Sequence, residues 1–123
     1  MMNRVIHFEI PAIKADRAVK FYETVFGWKI EKWAGPMDYW NITTGADKEP
    51  GINGAIMSVD GAIKQVVNTI GVKNLDEAAK KVLAAGGKRV SPDQTVPGIG
   101  YFAYFTDTEG NPFGLMQNDP KAK

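Results

Sequence analysis

Hydrophobic and polar residues alternate along residues 4–10, the pattern of a β-strand with one buried face. The alternation assigns Ile6, Phe8 and Ile10 to one face and Val5, His7 and Glu9 to the other. Pro11 has no amide hydrogen for a sheet ladder and is predicted to end this strand.

Residues 16–26 change to a helical period. Asp16 is predicted to cap the helix at its N-terminus, and Gly27 is predicted to end it. One set of apolar residues recurs at helical spacing and is expected to face the core: Ala18, Phe21, Tyr22, Val25 and Phe26.

Strands alternate with turns along the rest of the first half. We predict strands at 28–33, 39–44 and 53–58, with a turn at Gly35-Pro36 and a polar loop over 45–52.

The second half repeats this order. A strand at 65–72 precedes a helix that is capped by Asn74 or Asp76 and ended by Gly86-Gly87. The apolar face of this helix comprises Leu75, Ala78, Ala79, Val82 and Leu83. Short strands are predicted near 88–91, 100–106 and 112–117.

A shift of 60 residues superposes Asp16 on Asp76, Ala18 on Ala78, Lys20 on Lys80 and Gly27 on Gly87. We interpret residues 1–123 as a single α+β domain of two βαβββ modules, 4–58 and 65–118, joined around 59–64. Two unrelated α+β halves that look alike by chance are the alternative.

The charge balance and the lack of cysteine exclude several classes of function. Fifteen basic and fourteen acidic residues give a formal charge of +1, which offers no electrostatic surface for nucleic acid or an anionic membrane. The chain has no cysteine, so thiolate metal sites and cysteine nucleophiles are excluded. No signal peptide is visible in MMNRVIHFEI, and we expect a cytoplasmic protein.

The chain resembles the vicinal oxygen chelate superfamily, which includes glyoxalase I, the bleomycin- and fosfomycin-resistance proteins and the extradiol dioxygenases. The segments that carry the likeness are HFEI at 7–10, FYETVFGW at 21–28, AAGGK at 84–88, GYFAYFTD at 100–107 and EGNPFG at 109–114. The likeness is greatest to the glyoxalase-like subgroup related to lactoylglutathione lyase.

This resemblance implies that the two modules form a curved mixed sheet around a cleft, with the helices outside. In the metalloenzymes of the superfamily, the first and fourth strands of each module supply His, Gln or Glu ligands to one divalent ion. His7 matches the first of these positions, whereas the other three are held by Ala55, Val67 and Gly114. We therefore expect no metal cofactor; a divalent ion held by unrecognised ligands such as Glu9, Asn41 or Asn68 is the alternative.

His7 is the only histidine, and Glu9 lies on the same strand face with its Cα about 6–7 Å away. A nearby carboxylate can orient an imidazole as a general base, so His7 and Glu9 are the candidate catalytic residues. A buried histidine satisfied by Glu9 or by the backbone is the alternative interpretation.

Aromatic residues are frequent enough to line an apolar cavity with a few polar groups. The residues expected to bind a ligand are Tyr39, Asn41, Thr69, Tyr101 and Tyr104. For any one of the aromatic residues, a place in the core is the competing interpretation.

Two functions remain open. The first is a glyoxalase/bleomycin-resistance-like protein that binds a small hydrophobic or aromatic molecule in its cleft without metal, as a homodimer that binds neither nucleic acid nor membrane. The second is a lyase, isomerase or dioxygenase that uses His7 with Glu9, with or without a metal. The homodimer is expected from family habit and from exposed aromatic residues such as Trp33.

Overall fold

A computed structural model describes residues 2–35, 37–59 and 63–123. The described chain contains two helices and nine strands, so the predicted α+β class is confirmed. The elements in chain order are β1 (Arg4–Ala12), α1 (Ala15–Phe26), β2 (Lys29–Lys32), β3 (Tyr39–Thr43), β4 (Gly54–Ser58), β5 (Val67–Gly71), α2 (Leu75–Ala84), β6 (Lys88–Arg89), β7 (Gln94–Val96), β8 (Gly100–Thr106) and β9 (Pro112–Asn118).

The chain forms two compact units. The first unit comprises His7–Val66, and the second comprises the residues up to Ile6 together with Val67–Lys123. The N-terminal residues belong to the second unit because the Asn3 amide donates to the Gly71 carbonyl at 2.6 Å, at the end of β5.

The sheet of the first unit is mixed. Its strands follow the order β2-β3-β4-β1, with β1 parallel to β4 and the other pairs antiparallel. One face packs against α1 through a cluster whose buried members are Ala12, Ile42 and Ile56. Phe8 and Ile10 join this cluster, as the alternation of β1 predicts. The predicted end at Pro11 is wrong, because β1 continues through Pro11 to Ala12 in its parallel pairing with β4.

The sheet of the second unit is mixed as well. β5 and β9 are parallel, β9 and β8 are antiparallel, and both β6 and β7 pair with β8. Its α2-facing core comprises the buried residues Val72, Leu75, Ala79, Ala103, Phe105 and Leu115. β7 was not predicted, since its three residues lie between turn signals and are too few to show a period.

The predicted cap and buried face of α1 need correction. Lys14 occupies the N-cap position without a side-chain hydrogen bond, and Asp16 lies inside the first turn. Gly27 ends the helix in the left-handed conformation (φ 69°), as predicted. Of the predicted buried face, Ala18 and Tyr22 pack on the sheet, but three residues are more than half exposed: Phe21, Val25 and Phe26.

The second helix follows the sequence prediction more closely. Asn74, and not Asp76, is its N-cap, because the Asn74 side chain accepts a hydrogen bond from the Glu77 amide. Leu83 is half exposed, so only the other members of the predicted face pack on the core.

The polar segment 45–52 contains no helix or strand, as predicted. Pro36 of the predicted turn and residues 60–62 of the predicted junction lie outside the described residues. In the described part of the chain, neither helix is long and apolar enough to cross a membrane.

The neighbouring aromatic residues of α1 provide a test of this packing. Tyr22 stacks on Trp28 with ring centroids 5.1 Å apart, whereas Phe21 is 55% exposed. We expect Tyr22→Ala to lower the free energy of unfolding by about 3 kcal/mol and Phe21→Ala by less than about 1 kcal/mol. Urea denaturation measures both, and equal losses would contradict the assigned orientation of α1.

Candidate functional site

Polar side chains of the first unit collect on the sheet face opposite α1. His7 and Glu9 alternate with the core residues of β1, and Tyr39 and Asn41 alternate with Trp40 and Ile42 of β3. Trp33 follows β2 and contacts Tyr39. We call this surface, defined by His7, Glu9, Trp33, Tyr39 and Asn41, the polar face.

A chain of hydrogen bonds joins three of these residues. The Tyr39 hydroxyl donates to Glu9 Oε2 at 2.6 Å and lies 2.7 Å from His7 Nε2. The rings of His7 and Tyr39 are nearly parallel, with centroids 6.3 Å apart and an interplanar angle of 9°. The structure thus brings together the two predicted catalytic residues and one predicted ligand-binding residue.

Tyr39 reaches Glu9 across an intervening strand. In the sheet register Tyr39 pairs with Met57 on β4, and Met57 pairs with Pro11 on β1. Glu9 itself pairs with Ala55, which is fully buried. The phenol ring therefore crosses β4 beside a side chain that consists of one methyl group.

The hydrogen bonds match the burial of the site. Glu9 is only 6% exposed, and a buried carboxylate is stable only where donors reach it. Burial lowers the pKa of His7 below its usual value, and the negative charge of Glu9 opposes this effect in part. His7 is therefore neutral at neutral pH.

Trp33 lies at the edge of the polar face. Its ring meets the Tyr39 ring edge-on, with centroids 6.1 Å apart and an angle of 73°. A Cβ atom at Gly35 would collide with the Trp33 ring, so any larger residue there would displace that ring. Trp33 is half-buried by these contacts, so the expectation that it is an exposed aromatic residue is wrong.

The other predicted ligand-binding residues differ in their position in the sheet and in their burial. Asn41 is exposed and pairs with Ala55, in the same cross-strand row as Glu9. In the second unit, buried Thr69 pairs with Gly114, and Gly114 pairs with Tyr104. Tyr101 packs against the α2-facing core, on the other face of β8 from Tyr104.

The residues at the metal positions of the superfamily do not fit a metal ion. His7 is the only one with a ligating side chain, and its Nε2 is engaged by Tyr39. Ala55 and Val67 are apolar and fully buried, and a Cβ on Gly114 would lie 3.0 Å from Thr69 Oγ1. Within residues 2–35, 37–59 and 63–123, no group of three or more His, Asp or Glu side chains is arranged to hold a metal.

Sequence comparison identifies a matching family model and a similar protein. The family model described as "Bleomycin resistance protein-like N-terminal" matches residues 4–45. A "Glyoxylase-like domain-containing protein" of Didymella fabae is 33% identical in an alignment 130 positions long, which covers 97% of this chain and 97% of that protein.

Solved structures share the fold at low sequence identity. Methylmalonyl-CoA epimerase from Mycobacterium tuberculosis is 14% identical with a TM-score of 0.69, covering 94% of this chain and 88% of that one. The Streptomyces coelicolor epimerase in complex with 2-nitronate-propionyl-CoA is 12% identical with a TM-score of 0.70, covering 100% and 99%. A hypothetical protein from Bacillus halodurans C-125 is 13% identical with a TM-score of 0.71 and the same coverage.

The lowered pKa of His7 predicts how stability depends on pH. The unfolded chain takes up a proton near pH 6.5, while the folded imidazole takes it up only at lower pH. The free energy of unfolding should therefore fall as the pH drops below 6.5 and level off below the folded-state pKa, by about 1.4 kcal/mol for each unit between the two pKa values. Tyr39 hydrogen-bonds to His7 and the charge of Glu9 acts on it, and neither residue is changed in the control variant.

Because the chain has one histidine, an NMR titration gives the pKa of His7 directly. His7→Gln is the matched control, and urea denaturation of this variant should lack the wild-type loss of stability in that pH range. A midpoint above 6.5 would contradict the burial of the imidazole.

Proposed function

This chain belongs to the glyoxalase-like family of the vicinal oxygen chelate superfamily, and from that premise we propose that it binds a small hydrophobic or aromatic molecule at the polar face without a metal ion. The Didymella fabae relative confirms the family that the sequence resemblance implied, and the solved structures confirm the fold. The ligand and the mode of binding are the proposal.

The observation that carries the proposal is the hydrogen-bonded chain His7–Tyr39–Glu9 beside Trp33. Ligand sites combine aromatic walls with a few polar groups held in fixed positions. Here Tyr39 provides an aromatic ring and a hydroxyl that hydrogen-bonds to both His7 and Glu9. Trp33 provides a second ring at 6.1 Å from the first.

We propose metal-free binding because the side chains at the metal positions of the superfamily offer a single ligating group. One imidazole with Nε2 engaged by a hydroxyl is a weak site for a divalent ion. The epimerase bound to 2-nitronate-propionyl-CoA does not indicate the ligand of this chain, since their likeness extends to the fold alone.

Asn41 is proposed to contact the ligand as well, because it is exposed on the polar face. Thr69, Tyr101 and Tyr104 stay predictions as ligand-binding residues of the second unit. The packing of half-buried Tyr101 against the α2-facing core favours its alternative interpretation as a core residue.

A second candidate function is a lyase or isomerase in which His7 acts as the general base. It is favoured by the lowered pKa of His7, because a neutral imidazole at neutral pH can accept a proton. Glu9 would then act through Tyr39 as a positioning residue. His7→Gln should abolish turnover in this case, whereas Trp40→Phe, on the opposite face of β3, should retain it.

We further propose a cytoplasmic homodimer that binds neither nucleic acid nor membrane. The apolar residues that α1 exposes, including Phe21 and Phe26, support association. Light scattering at tens of micromolar should give twice the mass of one chain, and a monodisperse monomer would rule the dimer out.

Ligand binding can be tested with a panel of aromatic fragments monitored by thermal shift and tryptophan fluorescence. We expect at least one fragment to bind and Trp33→Ala to weaken its binding about tenfold or more, because a ring that forms the wall is lost. Trp40→Phe is the matched control, since Trp40 lies on the opposite face of β3 and packs with the α1-facing core. Unchanged affinity in Trp33→Ala would place the ligand elsewhere.

Metal independence has its own test. Elemental mass spectrometry on untagged protein, before and after dialysis against Ni, Zn, Mn and Fe(II), should find no stoichiometric metal. Near-stoichiometric metal that disappears in His7→Ala would overturn the metal-free proposal and favour the metal-assisted alternative.

A further inference from the structure

The two hydrogen bonds that join His7, Tyr39 and Glu9 have defined donors and acceptors. A tyrosine hydroxyl has one hydrogen, and Tyr39 donates it to Glu9 Oε2 at 2.6 Å. The same oxygen lies 2.7 Å from His7 Nε2, so it can only accept there. The hydrogen in that contact therefore resides on His7 Nε2.

The hydrogen on Nε2 determines what the other ring nitrogen offers. With a hydrogen on Nε2, a neutral imidazole carries its lone pair on Nδ1. Within the described residues, the hydrogen bond of His7 is the one to Tyr39, and no buried side-chain nitrogen or oxygen lacks a partner. Nδ1 is therefore accessible to solvent and presents a hydrogen-bond acceptor.

The surroundings of His7 restrict which donors suit that acceptor. An ionised carboxylate or phosphate has no hydrogen to donate to this acceptor. The ring of Tyr39 lies parallel to the imidazole, and the ring of Trp33 stands edge-on to Tyr39. A flat, uncharged group with an N–H or O–H at its rim matches these contacts, whereas a carboxylate or phosphate does not.

We propose that Tyr39 is a positioning residue that holds His7 in the Nε2–H form, so that the polar face selects neutral aromatic hydrogen-bond donors such as indoles and phenols. This inference rests on the proposed function and adds the chemical class of the ligand.

The tautomer is measurable without any ligand. Histidine labelled with nitrogen isotopes gives one imidazole spin system in this chain, whose nitrogen shifts report which atom carries the hydrogen. We expect the Nε2–H form in the wild type at neutral pH. Tyr39→Phe should shift the ring toward the other tautomer or a mixture. An Nδ1–H tautomer in the wild type would overturn the proposal.

The ligand class is tested with matched pairs that differ by one methyl group. Indole is compared with N-methylindole, and phenol with anisole, by NMR titration of the wild type. Loss of one hydrogen bond predicts about tenfold weaker binding of each methylated partner. The preference should disappear in Tyr39→Phe and persist in Trp40→Phe.

The outcomes separate the two proposals. Equal binding of donor and methylated partner would overturn the ligand class and leave the proposed function standing. Binding of neither pair, together with no binding in the wider fragment panel, would overturn both. Tighter binding of benzoate than of phenol would overturn the inferred rejection of anions.

Discussion

The constraint on which the first unit depends is the alternation of side chains along β1. Phe8 and Ile10 pack toward α1, so His7 and Glu9 must project from the other side of the sheet. A shift of one residue would place an ionisable pair in the hydrophobic core and expose two core residues. The same hydrophobic packing that stabilises the unit therefore positions its polar face.

Burial of Glu9 makes the hydrogen bond from Tyr39 necessary. Removing a carboxylate from water is costly unless donors replace the lost solvent. Tyr39 supplies such a donor by crossing β4 beside Ala55, where a long side chain would occupy the same space. The small residue at a metal position of the superfamily and the hydrogen-bonded chain are thus two parts of one arrangement.

The fold and the chemistry of this protein come from different sets of residues. The alternating strands, the two helices and the glycines at the turns preserve the architecture shared with enzymes as little as 12% identical. The metal positions hold alanine, valine and glycine, which cannot ligate through their side chains. Family membership therefore identifies the architecture and does not by itself assign a ligand.

Local pattern determined much of this structure. Strand faces and the left-handed Gly27 follow from the sterics and hydrogen bonding of neighbouring residues, which a short stretch of sequence encodes. The sequence narrows the N-cap of α2 to Asn74 or Asp76, and the structure selects Asn74. The exposure of Phe21 and Phe26 could not be predicted in this way, because helical periodicity names an apolar face without saying how wide the opposing sheet is. β7 could not be predicted from the sequence either, since three residues are too few to show a strand period.

The same division holds at the candidate site. Sequence alone determined that His7 shares a face with Glu9, because a strand has a period of two. Only the tertiary structure decided that Tyr39, 32 positions away from His7, bridges them. That contact depends on the order β3-β4-β1, in which long-range strand pairing places β4 between its partners. The protonation form of His7 depends in turn on that pairing, so it is a property of the assembled sheet and not of the segment that contains the histidine.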